Sequence, residues 1–260
     1  MNILILGASG TVGGAIYETL KTSYDVHGTY NKNQQPNLLP WHISDLPGLK
    51  TMLKNIAPDI IISSLVGDFL QQSEAHRLMA EYLQETGGRM VFISTVNVFD
   101  GDTRGNHTEA APPYPISQYG VFKQNCEEML LWKLGAKCLV VRLPKVQPAD
   151  EVSAIRKRLD ESKPVYSNLY FNHTTPQIVA DTVLSCLKNN RAGISHITNG
   201  QYISDADYVN IVAQQHGITI TPNVQALTAE NYCNLLGCND VARLRMTSDG
   251  GFYLTMRKIT

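Results

Sequence analysis

Tyr119 and Lys123 stand four residues apart, where the sequence predicts the start of a helix. Because residues four apart share a helix face, the Tyr119 hydroxyl and the Lys123 ammonium can converge. A nearby ammonium favours the tyrosinate and lowers the pKa of the phenol below its usual value. Such a tyrosine can exchange a proton with a substrate carbonyl or hydroxyl while a nicotinamide exchanges a hydride. The pair predicts that both residues are catalytic and that both contact the cofactor, with Lys123 holding the nicotinamide ribose.

Two hydroxyl side chains, Ser94 and Thr95, follow a predicted strand at residues 90–93. In an open α/β sheet, the carboxyl ends of the strands face the ligand crevice. A hydroxyl at that place can donate a hydrogen bond to the substrate oxygen that Tyr119 protonates. We therefore predict that Thr95, or Ser94 in its place, completes the catalytic group.

A glycine-rich turn at residues 7–13 follows the first predicted strand and opens the first predicted helix. Gly7 permits the tight turn, Gly10 lets the backbone approach a pyrophosphate, and Gly13 lets the helix pack closely on the strand. The helix start offers unpaired N–H groups and the positive end of the helix dipole to phosphate groups. The cofactor-binding residues predicted here are Gly7, Ser9, Gly10, Thr11, Val12 and Gly13.

The end of the second predicted strand, Gly-Thr-Tyr-Asn-Lys, indicates which dinucleotide would bind. A carboxylate there would bind the hydroxyls of the adenosine ribose and favour NAD(H), but the segment has none. Asn31 and Lys32 can instead contact a 2′-phosphate, so NADP(H) is favoured over NAD(H). The alternative reading, in which Lys32 is an ordinary solvated loop residue, stays open.

Apolar strands and helical segments alternate along the first 145 residues. They would position the predicted catalytic and cofactor-binding side chains. Predicted strands cover residues 3–6, 24–29, 59–62, 90–93 and 138–141, and predicted helices cover residues 11–23, 46–55, 69–85 and 117–134. This alternation predicts an α/β, Rossmann-type, doubly wound parallel sheet. Residues 1–145 would form the NAD(P)-binding domain. Residues 146–260 would form a smaller, mostly helical substrate-binding region packed on it.

The composition excludes several classes of protein and partner. The 260 residues include 22 basic and 23 acidic side chains, so no general attraction to nucleic acid or an anionic membrane is expected. No apolar run reaches the roughly 20 residues that span a bilayer, and no signal peptide is expected. The five cysteines are interpreted as free thiols of a cytoplasmic protein, and no metal-binding spacing occurs. The expected partner is a small-molecule substrate.

Segments at residues 2–13, 58–64, 94–101 and 108–123 carry a family resemblance. Residues 94–101 have the sequence Ser-Thr-Val-Asn-Val-Phe-Asp-Gly. They are similar to the segment Ser-Thr-Asp-Tyr-Val-Phe-Asp-Gly of a known family. Together the segments resemble the extended short-chain dehydrogenases/reductases, and most closely the dTDP-4-dehydrorhamnose reductase family. The resemblance implies that Ser63, Ser64 and Leu65 also contact the cofactor and that the protein can pair as a homodimer.

The departures from the family pattern keep several functions open. Val96 and Asn97 replace the family's Asp and Tyr, and the family's sugar-binding elements after residue 144 are not recognisable. The resemblance implies an NADP(H)-dependent reductase of a ketone, such as a 4-keto nucleotide-sugar. The alternatives are an NAD-dependent sugar epimerase and a non-catalytic NAD(P)-binding regulatory subunit, similar to that of methionine adenosyltransferase.

Three further sets of polar residues have competing interpretations. His107 and Glu109 lie in the predicted loop before Tyr119, where they would face either substrate or solvent. His173 is interpreted as structural. The pair Glu127-Glu128 is predicted to lie on the solvated face of its helix.

Overall fold

Helices and strands alternate along most of the chain in the computed structural model, which describes residues 1–198, 200–238 and 240–258. The helices are α1 (Thr11–Leu20), α2 (Leu46–Ile56), α3 (Phe69–Thr86), α4 (Gln118–Leu134), α5 (Glu151–Asp160), α6 (Pro176–Lys188), α7 (Asp205–Gln215) and α8 (Ala229–Leu236). The strands are β1 (Asn2–Leu6), β2 (Asp25–Tyr30), β3 (Leu38–Pro40), β4 (Ile60–Ser63), β5 (Arg89–Thr95), β6 (Cys138–Leu143), β7 (Lys145–Val146), β8 (Val165–Tyr166), β9 (Leu169–Phe171), β10 (His173–Thr174), β11 (Gly193–His196), β12 (Ile203–Ser204), β13 (Val224–Gln225) and β14 (Phe252–Leu254).

Seven of the strands form a parallel sheet in the order β11-β6-β5-β4-β1-β2-β3. The central strand β1 pairs with β2 on one side and β4 on the other, so that Ile5 lies between Gly28 and Ile62. The chain first builds outward through β2 and β3 and then returns to the other side of β1. This reversal of strand order is where ligands bind in open α/β sheets. The predicted doubly wound, Rossmann-type fold is confirmed.

Burial of the strands explains why they appear as continuous apolar runs. All four residues of β4 are buried, and so are the last four of β1. Leu49 and Leu53 of α2 and Met79 and Leu83 of α3 belong to the same buried core cluster as strand residues such as Ile61. A strand covered by helices has no solvent face, so its sequence does not alternate between apolar and polar residues.

The ends of α3 show how local sequence sets a helix boundary. Asp68 precedes the helix, and its Oδ1 accepts a hydrogen bond from the backbone N–H of Gln71 at 2.9 Å. Gly87 follows the helix in the left-handed region, with φ of 76°, and its N–H reaches the carbonyl of Leu83. A residue with a Cβ is disfavoured in that conformation. The helix predicted over residues 69–85 is therefore confirmed to within one residue.

The chain divides into two compact units that are interleaved along the sequence. The first contains Met1–Ser94, Phe122–Leu143 and Thr175–Ile197, and the second contains Thr95–Val121, Pro144–Thr174 and the described part of Thr198–Thr260. The boundary expected after residue 145 lies two residues beyond one of these crossings, which falls between Leu143 and Pro144. The chain also returns to the first unit for α6 and β11, because β11 is the outermost strand beside β6.

The second unit contains more β structure than the sequence indicated. Besides α5, α7 and α8, its described residues include small sheets that pair β7 with β10, β8 with β13, and β9 with β12 and β14. Strands of two or three residues are too short to show a two-residue period. The expectation of a mostly helical region was therefore incomplete.

Within the described ranges, no helix combines the length and the apolar composition needed to cross a bilayer.

Candidate functional site

A cavity of about 500 Å³ lies at the carboxyl ends of β1, β2 and β4, within the first unit. The predicted cofactor residues that line it are Gly7, Ser9, Gly10, Thr11, Val12, Asn31, Lys32, Ser64 and Leu65. The lining residues that the sequence analysis missed are Thr29, Tyr30, Asn33, Trp41, Ile43 and Val66. No carboxylate is among these described lining residues, and Lys32 contributes a cation. The cavity therefore suits an anionic ligand.

The glycine turn brings the start of α1 against this cavity. Gly7 has a φ of 85°, and a Cβ there would lie 2.6 Å from the carbonyl oxygen of Ser64. Its N–H donates to Thr29 Oγ1 at 3.1 Å, which fixes the turn to β2. Gly10 precedes α1 and offers no side-chain cap, so the first N–H groups of the helix are not taken by a capping side chain. This geometry fits the phosphates of a dinucleotide.

Gly13 does not line the cavity, and its role is the close packing predicted for it. A Cβ on Gly13 would lie 2.2 Å from the carbonyl oxygen of Gly7, whereas one on Gly10 would make an ordinary 3.4 Å contact with the same atom. We expect Gly13→Ala to lower the free energy of unfolding by about 1–3 kcal/mol, as overpacking does. Gly10→Ala is the matched control and should keep the unfolding midpoint in urea. Equal midpoints for the two variants would contradict the packing role.

Ser63 also lies outside the cavity, because its side chain is used elsewhere. Its buried hydroxyl lies 2.8 Å from His76 Nε2, and the other ring nitrogen of His76 lies 3.9 Å from Cys126 Sγ. Burial, together with the charge of Lys123, lowers the pKa of His76 to about 3. His76 is therefore neutral at physiological pH. The structure gives Ser63 a neutral hydrogen bond in the core and places Ser64 and Leu65 in the cavity.

Lys123 is buried on α4 with 5% of its surface exposed. Its ammonium donates to the carbonyl of Ile93 at 3.0 Å and lies 4.6 Å from the centre of the Phe92 ring. Burial lowers the pKa of Lys123 to about 8, and the opposing influence of Cys126 and Glu127 only partly offsets this. The lysine is thus held against the end of β5 with little freedom to move.

Thr95 and Tyr119 belong to the second unit and are hydrogen-bonded to each other. Thr95 Oγ1 donates to Asn97 Oδ1 at 2.9 Å and accepts from the Asn97 N–H at 3.2 Å. Tyr119 is 41% exposed as a residue, yet burial around its hydroxyl raises its pKa, and the bond with Thr95 opposes that rise. The lowered pKa predicted for Tyr119 is therefore wrong, because desolvation outweighs the effects that favour the tyrosinate.

Asp100 anchors the segment that leads into α4. Its fully buried carboxylate accepts from the backbone N–H groups of Ile116, at 2.7 Å, and Ser117, at 3.2 Å, and from the Ser117 hydroxyl. Ser117 Oγ in turn accepts from the N–H of Gly120 at 2.9 Å. These bonds set the position of the helix turn that carries Tyr119. No sequence motif indicates this role, because Asp100 and its hydrogen-bond partners lie 16 or more residues apart.

Ser94 and Glu127 form part of a buried ionic network in the first unit. Ser94 Oγ donates to Glu127 Oε1, and Arg142 donates to both carboxylate oxygens of Glu127, with the shortest distance 2.6 Å. Glu127 is 2% exposed and Arg142 is 1% exposed. The prediction that Glu127 lies on a solvated face is therefore wrong, whereas its neighbour Glu128 is exposed as predicted. The Ser94 hydroxyl donates to Glu127, whereas the hydroxyl bonded to Tyr119 is that of Thr95.

The loop before Tyr119 uses His107 in packing. The His107 ring stacks on Phe99 at 4.3 Å between ring centres, and its Nε2 lies 2.8 Å from the carbonyl oxygen of Asp102. His173 sits in the short strand β10, paired with Lys145 of β7. In the described ranges, no three His, Cys, Asp or Glu side chains come close enough to hold a metal ion.

Structure comparison shows the same fold in several solved structures. A hypothetical dTDP-4-dehydrorhamnose reductase from Sulfolobus tokodaii has a TM-score of 0.77 at 22% identity, covering 98% of this chain and 92% of that one. The dTDP-4-dehydrorhamnose reductase of Bacillus anthracis, solved with NADP, has a TM-score of 0.70 at 20% identity, covering 87% and 84%. The Bordetella bronchiseptica enzyme WbmH, solved with NAD+, has a TM-score of 0.75 at 17% identity, covering 87% and 85%.

Sequence comparison identifies the family. A probable low-salt glycan biosynthesis reductase, Agl14 of Haloferax volcanii, is 23% identical over 80% of this chain and 78% of its own length. The methionine adenosyltransferase 2 subunit beta of Danio rerio is 26% identical over 50% of this chain, which spans less than half, 43%, of that relative. The family model described as "RmlD substrate binding domain" matches residues 68–247. Because this match covers well over half of the chain, the protein belongs to the RmlD substrate-binding-domain family.

Proposed function

We propose that the protein is an NADP(H)-dependent reductase of a ketone, with a 4-keto nucleotide-sugar as the substrate class. The observation that carries the proposal is the hydrogen bond between Thr95 and Tyr119. The buried Lys123 lies one turn after Tyr119 on the same helix, α4. The anion-compatible cavity at the glycine turn supports it. So do the family and the relatives whose names describe reductases.

Each side chain has a distinct part in the proposed reaction. The bound cofactor supplies the hydride to the carbonyl carbon. Tyr119 is protonated at neutral pH, because its pKa is raised, and gives its proton to the carbonyl oxygen. Thr95 positions the Tyr119 hydroxyl through the hydrogen bond between the two side chains. Lys123 binds the hydroxyls of the nicotinamide ribose, for which its fixed ammonium is well suited.

Steady-state assays test the proposal directly. We expect the purified protein to oxidise NADPH when a 4-keto-6-deoxy nucleotide-sugar is supplied, with the product hydroxyl at C4. A nucleotide-sugar without the keto group is the control and should give no turnover. Binding of NADPH without turnover of any ketone would contradict the reductase function.

Lys32 is proposed to provide the preference for NADP(H), because it lines the cavity beside Asn31 and Asn33 with no carboxylate there. We expect Lys32→Ala to weaken NADPH binding about tenfold and to leave NADH binding nearly unchanged, since only NADPH carries the 2′-phosphate. Isothermal titration calorimetry measures both affinities. Lys50→Ala on α2, outside this cavity, is the matched control. An equal loss for the two cofactors would show that Lys32 does not read the phosphate.

Two other functions have specific support. The similarity to the methionine adenosyltransferase subunit, together with Val96 and Asn97 in place of the family's Asp and Tyr, favours a regulatory protein that binds NAD(P) without turnover. An epimerase would retain NAD+ through purification, and the same fold occurs in a UDP-glucose 4-epimerase of Thermotoga maritima. Retained NAD+ in the purified protein would indicate the epimerase. Binding of NAD(P) without turnover of any ketone would indicate the regulatory protein.

We also propose a cytoplasmic location and a homodimeric assembly. The five cysteines are buried and none of them forms a disulfide, which suits a reducing compartment. Light scattering on the eluted protein measures the assembly.

A further inference from the structure

Asn97 lies between the Thr95–Tyr119 pair and the buried carboxylate of Asp100. Its side chain is hydrogen-bonded to Asp100 on one side and accepts the Thr95 hydroxyl on the other, at 2.9 Å. The Asp100 carboxylate already accepts two backbone N–H groups, so it acts as an acceptor. The amide nitrogen of Asn97 therefore faces Asp100, and the amide oxygen faces Thr95. The orientation of the amide follows from Asp100.

This orientation determines what Thr95 can do for Tyr119. Thr95 has a single hydroxyl proton, and that proton points to Asn97 Oδ1. While it does so, Thr95 cannot donate to the Tyr119 oxygen, and donation is the interaction by which Thr95 lowers the pKa of Tyr119. A tyrosinate is stabilised by a donor. Ionisation of Tyr119 is therefore favoured when Thr95 gives up its hydrogen bond to Asn97 and donates to the tyrosinate.

We propose that Asn97 is a positioning residue that keeps Tyr119 in the phenol form, the form that donates a proton, by competing for the hydroxyl proton of Thr95. The role in reduction rests on the function proposed above. The competition itself is a property of the protein without ligands.

Among the charged side chains, Asp100 is the nearest in sequence to Asn97, and Lys123 is the nearest in sequence to Tyr119. Asp100 lies behind Asn97, and Lys123 lies one turn beyond Tyr119 on α4. Both are kept in every variant of Asn97, so a change in the titration of Tyr119 reports on position 97. Asn97 also has a backbone role, since its N–H donates to Thr95 and its carbonyl accepts from the Asp100 N–H at 3.1 Å. Side-chain substitutions leave these backbone bonds available.

The test uses two variants of similar volume that should act in opposite directions. Asn97→Leu removes the acceptor and frees the Thr95 proton for a tyrosinate, so the titration midpoint of Tyr119 should fall by about one pH unit. Asn97→Asp keeps an acceptor and adds a negative charge, so the midpoint should rise by about one pH unit. The midpoint is read by NMR on the full chain labelled with ¹³C at the tyrosine Cζ, and Tyr119→Phe identifies the signal among the 12 tyrosines.

A double-variant cycle shows whether the effect passes through Thr95. In a Thr95→Val background, Asn97→Leu should leave the Tyr119 midpoint unchanged, because no proton remains to be shared. Asn97→Ala serves in place of the leucine variant if circular dichroism shows that the latter does not fold. Shifts of the same sign for the leucine and aspartate variants would overturn the proposal. So would a leucine shift that persists without the Thr95 hydroxyl.

The titration needs neither cofactor nor substrate, so it judges Asn97 even if no ketone is reduced. If the wild type does reduce a ketone, the leucine variant should lose kcat at a pH about one unit lower than the wild type does. Its KM for NADPH should stay unchanged, because Asn97 does not line the cofactor cavity. A merely structural defect would lower kcat at every pH and would not move the pH at which kcat is lost.

Discussion

Replacing Tyr119 with Phe is expected to lower kcat for ketone reduction by about a hundred- to ten-thousand-fold while the cofactor still binds. The substitution removes only the hydroxyl that would protonate the carbonyl oxygen, and a positioned general acid contributes a factor of this size. The phenol is bonded to Thr95 and, because its pKa is raised, is present as the proton-bearing form at neutral pH. Steady-state kinetics give kcat, and calorimetry gives the affinity for NADPH.

Tyr114→Phe is the matched control for this variant. Tyr114 lies five residues earlier, and its ring lies beneath the Arg245 guanidinium at 3.7 Å, an interaction that phenylalanine can keep. We expect its turnover to match that of the wild type. If Tyr119→Phe retains full activity, Tyr119 is not the general acid. If it loses NADPH binding as well as turnover, the hydroxyl serves the cofactor rather than the proton transfer.

Local backbone requirements explain why the glycine turn could be predicted from sequence. The positive φ of Gly7 and the 2.2 Å approach at Gly13 each exclude a side chain at a particular place in a strand–turn–helix unit. These demands involve neighbours within about ten residues, so the spacing of glycines records them. The seven-stranded sheet was predictable for a related reason, since strands covered on both faces must be continuously apolar.

The features that could not be predicted from the sequence have a different cause. In each case a polar group is buried by partners that are distant in sequence. Glu127 appears solvated beside Glu128, but Arg142 and Ser94 enclose it. The bond between the Ser63 hydroxyl and His76 is likewise invisible in the sequence. The two residues of each hydrogen-bonded pair do not belong to one short motif. Their spacing in the sequence therefore does not indicate that they are in contact. The sign of the Tyr119 pKa shift was missed for the same reason, because desolvation depends on the packed surroundings.

Glu127→Gln is expected to lower the free energy of unfolding by about 3–5 kcal/mol, the largest stability effect predicted here. The substitution keeps the shape of the side chain but removes the charge that neutralises Arg142, which is 1% exposed. Arg142 also lies 3.4 Å from His196 Nε2, an imidazole nitrogen that does not carry the negative charge of a carboxylate. The Ser94 hydroxyl would also lose its charged acceptor. Urea unfolding measures the change, which is a large part of the stability of an ordinary protein.

Glu128→Gln makes the same chemical change one residue away on an exposed side chain, so it should shift the urea midpoint little. The double variant Glu127→Met with Arg142→Met removes both charges and should recover most of the loss, because no unpaired charge then remains buried. A large loss in Glu127→Gln that the double variant does not recover would mean that packing, not charge, is responsible. Equal midpoints for Glu127→Gln and Glu128→Gln would mean that Glu127 is solvated after all. The pair thus distinguishes a buried ionic network beside β5 from the solvated helix face that the sequence suggested.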